Sequence, residues 1–467
     1  MKNTILIILL LCIYSCKEIK KEVSPNGVWQ QLGYGKIFEI ENDSVRIFDI
    51  CNAGCNVYEH RLLADEGAII KCSSDSLVLK KNIKTYRFKR LEKLPQICQG
   101  SGKETIDPIH NFEVLWNTFN EHYCYFSQRN IDWKKYYDIY KSKITNETSQ
   151  TELFVLFDEM LSSIDDGHVE LYVPESLEDT LSKLEQNNEN QSAISPIVNR
   201  FELSDMIINR YCREYKTHNA GIVKWGFMED NIAYLQVNAM WLMAFYDIPD
   251  SLSLNEFGAH YQQIMSQRTF QRQDEIDGAK RLMDSIFNDI QHATALIIDF
   301  RFNTGGKDEV GLEIIGHLVN KKTKIASKKA KLGNTFTNHQ NIYLEARSPY
   351  FEKDVYVLTS SVTASASEVA VLSTLSLDNL TKIGSSTEGV FSDGLDKKLP
   401  IGWEYTLSNE IYEDMGGNNY EGTGIAPDID INYPTDKPEF FNMLYHQVKG
   451  SGDEAIERVF QIQNDKH

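Results

Sequence analysis

Two segments of this chain follow one plan: an apolar strand ends in a turn of small residues that opens directly into a helix. The segments are ALIIDFRFNTGGKDE at 295–309 and VYVLTSSVTASASEVA at 355–370. Such strands are buried, and from about residue 222 onward they alternate with helical stretches such as GAKRLMDSIFNDIQ. That alternation places an α/β core at residues 222–435. The helix after the glycine turn is expected to run through Val319. Upstream, short alternating runs such as GKIFEIEND and KTYRFKRL predict a small all-β antiparallel N-terminal domain at 26–100. Aromatic-rich helical segments predict a helical subdomain at 104–175, and residues 436–467 read as a helical tail.

The serine turn suggests chemistry. A hydroxyl at a strand-to-helix junction stands clear of the backbone, and the unpaired N–H groups of a first helical turn can stabilise a developing oxyanion. Ser365 and the Ala366 amide are the candidates, although Ser and Thr also cap helices for purely structural reasons. Gly305 and Gly306 would let a carbonyl approach an exposed N–H, the second half of an oxyanion hole. The NTGGK run matches neither a phosphate loop nor a dinucleotide fingerprint. A base is needed as well. His168, in IDDGHVEL behind an amphipathic helix, is the one histidine in so ordered a setting.

With YEGTGIAPDIDI at 420–431, the set resembles the tail-specific, or carboxy-terminal processing, serine peptidases. The motifs are Asp166-Gly167-His168, Asp299 to Gly306, Ser365-Ala366-Ser367-Glu368, Ile383 to Gly389 and Glu421 to Asp428. They span roughly residues 105 to 432. In the serine–lysine branch a lysine follows the G-x-x-T-x-G motif, but Val390 stands there, and Lys397 and Lys398 read as surface charges. His168 and Glu421 match the tricorn-like, histidine-base branch. The resemblance implies a crotonase-like (ClpP/crotonase) core in which Ser365 attacks a peptide carbonyl, His168 moves the proton, Glu421 holds the imidazolium, and Gly306 and Ala366 bind the oxyanion. It implies no cofactor and no metal. Gly167 departs from the branch, whose serine at that position connects histidine to glutamate, so Asp165 or Asp166 is an alternative partner for His168. Asp299, Arg301 and Asn303 are assigned to structure around the glycine turn. Only 176–221 separates the histidine motif from the core, so no full PDZ module is expected. The apolar MWLMAFYDIP run after Ala239 is read as packing or as cleft wall.

Lys2, the apolar run Ile5 to Ile13 and the lipobox-like Ile13-Tyr14-Ser15-Cys16 read as an export signal at 1–15; resemblance to bacterial lipoproteins implies a lipoprotein signal peptide with Cys16 the lipidated residue, and 16–25 reads as a polar tether. This predicts an exported protein anchored to a membrane of the cell envelope. A net charge of −19 disfavours nucleic acid as a partner, since phosphate binding needs clustered cations. Export permits disulfides, and Cys51–Cys55 or Cys72–Cys98 pairing is plausible, whereas a zinc site fits the cysteine spacing poorly. The sequence therefore reads as a serine endopeptidase acting on peptides or unfolded polypeptides. The competing reading, prompted by Gly167 and Val390, is an inactive relative serving as a ligand- or protein-binding surface lipoprotein.

Overall fold

A computed structural model of the chain describes residues 23–100, 104–178, 196–249 and 251–466. The expected leader and Cys16 lie outside the described residues. Alternating side chains in the first strands bury Trp29, Phe38, Ile40, Val45, Ile47, Leu77, Leu79 and Phe88 on one face of a seven-stranded antiparallel sheet. In order across the sheet, its strands are Gly54–Leu62, Ser44–Cys51, Lys36–Glu41, Gly27–Gln31, Lys84–Leu91, Ser76–Lys81 and Ala68–Cys72. Two of its hairpins close through Asn42 and Asn82 at positive φ, as tight turns between twisted strands require.

The disulfide joins Cys55 to Cys98, leaving Cys51 and Cys72 free, so neither suggested pair forms. The register explains why. Cys51 lies opposite Gly54 and Ile50 opposite Cys55, so Cys51 and Cys55 project from opposite faces of the hairpin. Cys72 sits on the far edge strand, whereas Cys98 packs with Cys55 beside Ile37 and Phe48.

Helices Pro108–His122, Trp133–Lys141 and Gln150–Ser162 form the next layer, the first and last started by Asp107 and Ser149 caps. Phe112, Leu115, Phe119, Trp133, Phe157 and Met160 pack there against Trp403 and Tyr405 of the core.

The core is built on a second seven-stranded sheet. Ala233–Val237, Leu296–Asp299, Val355–Thr359, Leu380–Gly384 and Ile429–Asp430 run parallel, while Val223–Phe227 and Tyr215–His218 complete one edge antiparallel. Helices Gln271–Ile290, Asp308–Gly316 and Ala366–Thr374 cover one face, and helices Arg200–Tyr211, Lys437–Lys449 and Glu454–Lys466 cover the other. The helix after the glycine turn thus ends at Gly316, short of Val319. The loops leaving the parallel strands gather at their carboxyl ends, where α/β sheets place their sites. No helix of the described residues is long and apolar enough to cross a membrane.

Lys397 is not a surface charge. Its ammonium is buried, donates to Tyr34 O (2.7 Å) and Gly35 O (2.8 Å), and lies 3.1 Å from Asp49. Burial lowers its pKa to about 8. Together with the bond from Lys398 N to Asp49 (2.9 Å), it seats the β domain on the core. The strand Lys397–Lys398 pairs with Glu404–Tyr405, which pairs with Leu171–Tyr172, three residues beyond His168. The Lys397→Ala change would strand two carbonyls and weaken the hold on a buried carboxylate. It is expected to destabilise the chain by about 3 kcal/mol, measurable as a lowered urea midpoint.

Candidate active site

Ser365 stands at the junction between Val355–Thr359 and Ala366–Thr374, with φ 54° and ψ −124°. A side chain in that region carries strain of about 1–3 kcal/mol and persists only where its surroundings enforce it. The serine-rich turn does the enforcing. The hydroxyls of Ser360, Thr363 and Ser367 donate to the carbonyls of Arg301 (2.7 Å), Phe300 (2.9 Å) and Asn303 (2.8 Å), and the Ala364 amide donates to Asn303 O (3.1 Å). The Ser365 amide is shared by Val390 O (3.1 Å) and a Glu368 carboxylate oxygen (3.2 Å). Helix packing and capping thus leave the Ser365 hydroxyl free to point away.

The glycine turn closes on this junction. Asn303 Oδ1 accepts the Gly305 amide at 2.9 Å, and Asp299 and Arg301 form a buried pair with Asp453 behind the turn. All three motif residues are therefore structural, as read from the sequence. A Cβ on Gly305 would lie 2.6 Å from the Ser365 Cβ, and one on Gly306 would lie 2.4 Å from Met240 O. Met240 clamps the turn, accepting from Lys307 N and donating to Gly305 O, both at 2.8 Å. Met240, Leu242 and Met243 are buried, so the start of the MWLMAFYDIP region is packing. The amides of Gly306 and Ala366 find no acceptor among the described residues, the condition for receiving an external oxyanion.

The structure brings His168 and Ser365 together across 197 positions of sequence, with Nε2 3.0 Å from Oγ. Asp166 shapes the histidine turn: its carboxylate accepts the His168 amide (2.9 Å), the Tyr123 hydroxyl (2.8 Å) and the Ser408 hydroxyl (3.2 Å). The His168 carbonyl accepts from Thr406 Oγ1 at 2.8 Å. Nδ1 of His168 is buried with no hydrogen-bond partner among the described residues.

Glu421 does not bond the imidazole directly. Its carboxylate is fully buried and is held by Arg129 (3.1 Å) and the amides of Phe391 (2.8 Å) and Ser392 (3.3 Å). Burial, then the Asp166 charge, pushes its pKa up. Asp166 serves His168 through the main chain, and Asp165 contributes a carbonyl to Arg129. Arg129, which links Glu421 to this turn, carried no motif in the sequence. Glu368, quoted only as the last residue of the serine motif, was given no role of its own, although its spacing from Ser365 is that of a capping box. Besides the Ser365 amide it accepts those of Gly389 and Val390, each at 2.7 Å, and burial raises its pKa to about 8. Val390 occupies the position of the missing lysine, and a Cβ on Gly167 would meet its side chain at 3.4 Å, ordinary contact. Among the described residues no cluster of three or more His, Cys, Asp or Glu could hold a metal ion.

Residues 231–431 match Peptidase family S41, and residues 108–162 match the Tricorn protease C1 domain. Among solved structures, a candidate peptidase from Parabacteroides merdae ATCC 43184 is 21% identical, covering 77% of this chain and 97% of its own, with a TM-score of 0.56. Mature CPAF is 9% identical, covering 74% of this chain and 96% of its own, with a TM-score of 0.52. These likenesses are of fold.

The Gly305→Ala change would add strain at φ +104° and press on the Ser365 Cβ. It is expected to cost about 1–3 kcal/mol in chemical denaturation. Gly258→Ala, whose Cβ meets nothing within 4 Å on a helix, is expected to be neutral or mildly stabilising in the same assay.

Proposed function

The chain is a tricorn-like member of peptidase family S41 and a serine-type peptidase, and from that premise we propose that it is an endopeptidase of peptides and unfolded polypeptides whose reaction runs through Ser365 and His168. The 3.0 Å contact between His168 Nε2 and Ser365 Oγ carries the reading. A serine hydroxyl is a weak nucleophile at neutral pH and needs a base within hydrogen-bond reach. His168 takes the proton as Oγ attacks the scissile carbonyl, and the carbonyl oxygen, now negative, is received by the Gly306 and Ala366 amides. The imidazolium then protonates the leaving amine, and water, activated by the same imidazole, releases the acyl group.

Glu421 acts at one remove from the ring. Its carboxylate and that of Asp166 share the single cation Arg129, so ionised Glu421 leaves an excess negative charge behind His168. That charge favours the imidazolium formed during attack. Export and lipidation at Cys16 complete the proposal. The leader pattern and the Cys55–Cys98 disulfide support a cell-envelope location, an oxidising setting being where such bonds persist.

Labelling with a fluorophosphonate probe tests the nucleophile: wild type is expected to react and Ser365→Ala not to react. Wild type that stays unlabelled would favour the inactive, ligand-binding alternative, for which the unpartnered His168 Nδ1 is the supporting observation. His168→Ala is expected to lower kcat by about a thousandfold or more. Glu421 has a raised pKa, so it ionises only as pH climbs through that elevated value, and hydrolysis should rise with it. In Glu421→Gln that limb of the pH profile should flatten and kcat fall about tenfold, the worth of one charge at several ångströms.

A further inference from the structure

Helix Arg200–Tyr211 packs Leu203, Ile207 and Ile208 against the sheet face that also buries Phe302. Its first residue reaches the loop that carries the glycine turn. Arg200 Nη1 donates to Phe302 O (2.8 Å) and to Thr304 Oγ1 (3.1 Å). No carboxylate of the described residues pairs with this guanidinium, and its Nε and Nη2 have no acceptor among them. Burial alone acts on its pKa, lowering it, with no nearby charge to counter the effect. An arginine stays protonated regardless. Its guanidinium carbon lies 4.5 Å from the Phe201 ring centroid, and in a chain of net charge −19 a partly desolvated cation beside Gly305 with no anionic partner among the described residues is an open half of an ion pair.

Its position sets what it could meet. Thr304 is two residues from Gly306, so the guanidinium lies no more than about 12 Å from the oxyanion amides, a span of about four extended peptide residues. An arginine edge pairs best with a planar carboxylate, in two parallel hydrogen bonds.

We propose that Arg200 is a specificity-determining residue that anchors a substrate carboxylate, either a peptide's free carboxyl terminus or an acidic side chain, within about four residues of the scissile bond. This rests on reading Ser365 as the peptidase site. The alternative is that Arg200 only braces the 302–304 loop.

The full chain carrying Ser365→Ala, which can bind without turnover, is offered three pools of randomised uncharged hexapeptides: one with a free carboxyl terminus, one amidated, and one amidated with a single internal glutamate. Fluorescence anisotropy should show at least one carboxylate pool binding about tenfold or more tighter than the uncharged pool, the ordinary worth of a charged hydrogen-bonded contact. Adding Arg200→Gln should erase that ratio, and Arg200→Lys should keep part of it. Which pool gains identifies the source of the carboxylate. Equal affinity for all three pools, or a preference that survives Arg200→Gln, would overturn the proposal. In turnover assays on the Ser365 background, a bracing role would lower cleavage of charged and amidated peptides by one factor, whereas the anchor changes their kcat/KM ratio. Selective binding without Ser365-dependent probe labelling would sink the peptidase reading and leave the anchor standing. Labelling without selectivity would do the reverse.

Discussion

The site depends on a set of hydrogen bonds between two strand ends. The carbonyls of Phe300, Arg301 and Asn303 end one strand, and the hydroxyls of Ser360, Thr363 and Ser367 with the Ala364 amide end its neighbour. In a parallel sheet these ends would diverge into separate loops, each with buried polar groups left to satisfy. Bonding them to each other settles both sets at once and fixes the distance between the glycine turn and Ser365. Four bonds at about 1 kcal/mol each exceed the strain in one residue at positive φ. Ser365 can therefore be held in a conformation it would not adopt alone, with its side chain turned out of the helix cap.

The histidine half of the site comes from another layer of the protein. His168 follows a helix whose apolar face is buried against Trp403 and its neighbours, and its main chain is fastened by Asp166 on one side and Thr406 on the other. Thr406 adjoins the small sheet that ends at Lys397–Lys398, and those two lysines contact the β domain through Asp49. The β domain thus touches the site through a continuous set of strand pairs and one buried ion pair. Its docking and the placement of the imidazole are parts of one packing problem.

Much of this was legible in the sequence because it rests on local pattern. The strand–turn–helix units, the glycines, Ser365 and the D-G-H turn all announce themselves by periodicity or by residue type, and Asn303 sits where a local cap is expected. What escaped was decided by chain segments far apart. Arg129 meets Glu421 across 292 positions and Lys397 meets Asp49 across 348, and no window of sequence contains either pair. Lys397 looked like a solvated charge because its neighbours are polar; burial was imposed by a domain some 350 residues earlier. The cysteines failed for a related reason. Spacing placed Cys51 near Cys55, but only the register of the hairpin decides which face each one occupies.

Val390 and Gly167 bear on each other. The main chain of Val390 is fully used, its amide bonded to Glu368 and its carbonyl to the Ser365 amide, so this position supports Ser365 through its backbone whatever its side chain. Its side chain in turn borders Gly167, where a Cβ would make ordinary contact and where φ is unexceptional. Space therefore does not exclude a serine there. Without one, His168 Nδ1 has no acceptor among the described residues, and the ring is placed by its main-chain fastening to Asp166 and Thr406 and by its contact with the Ser365 hydroxyl.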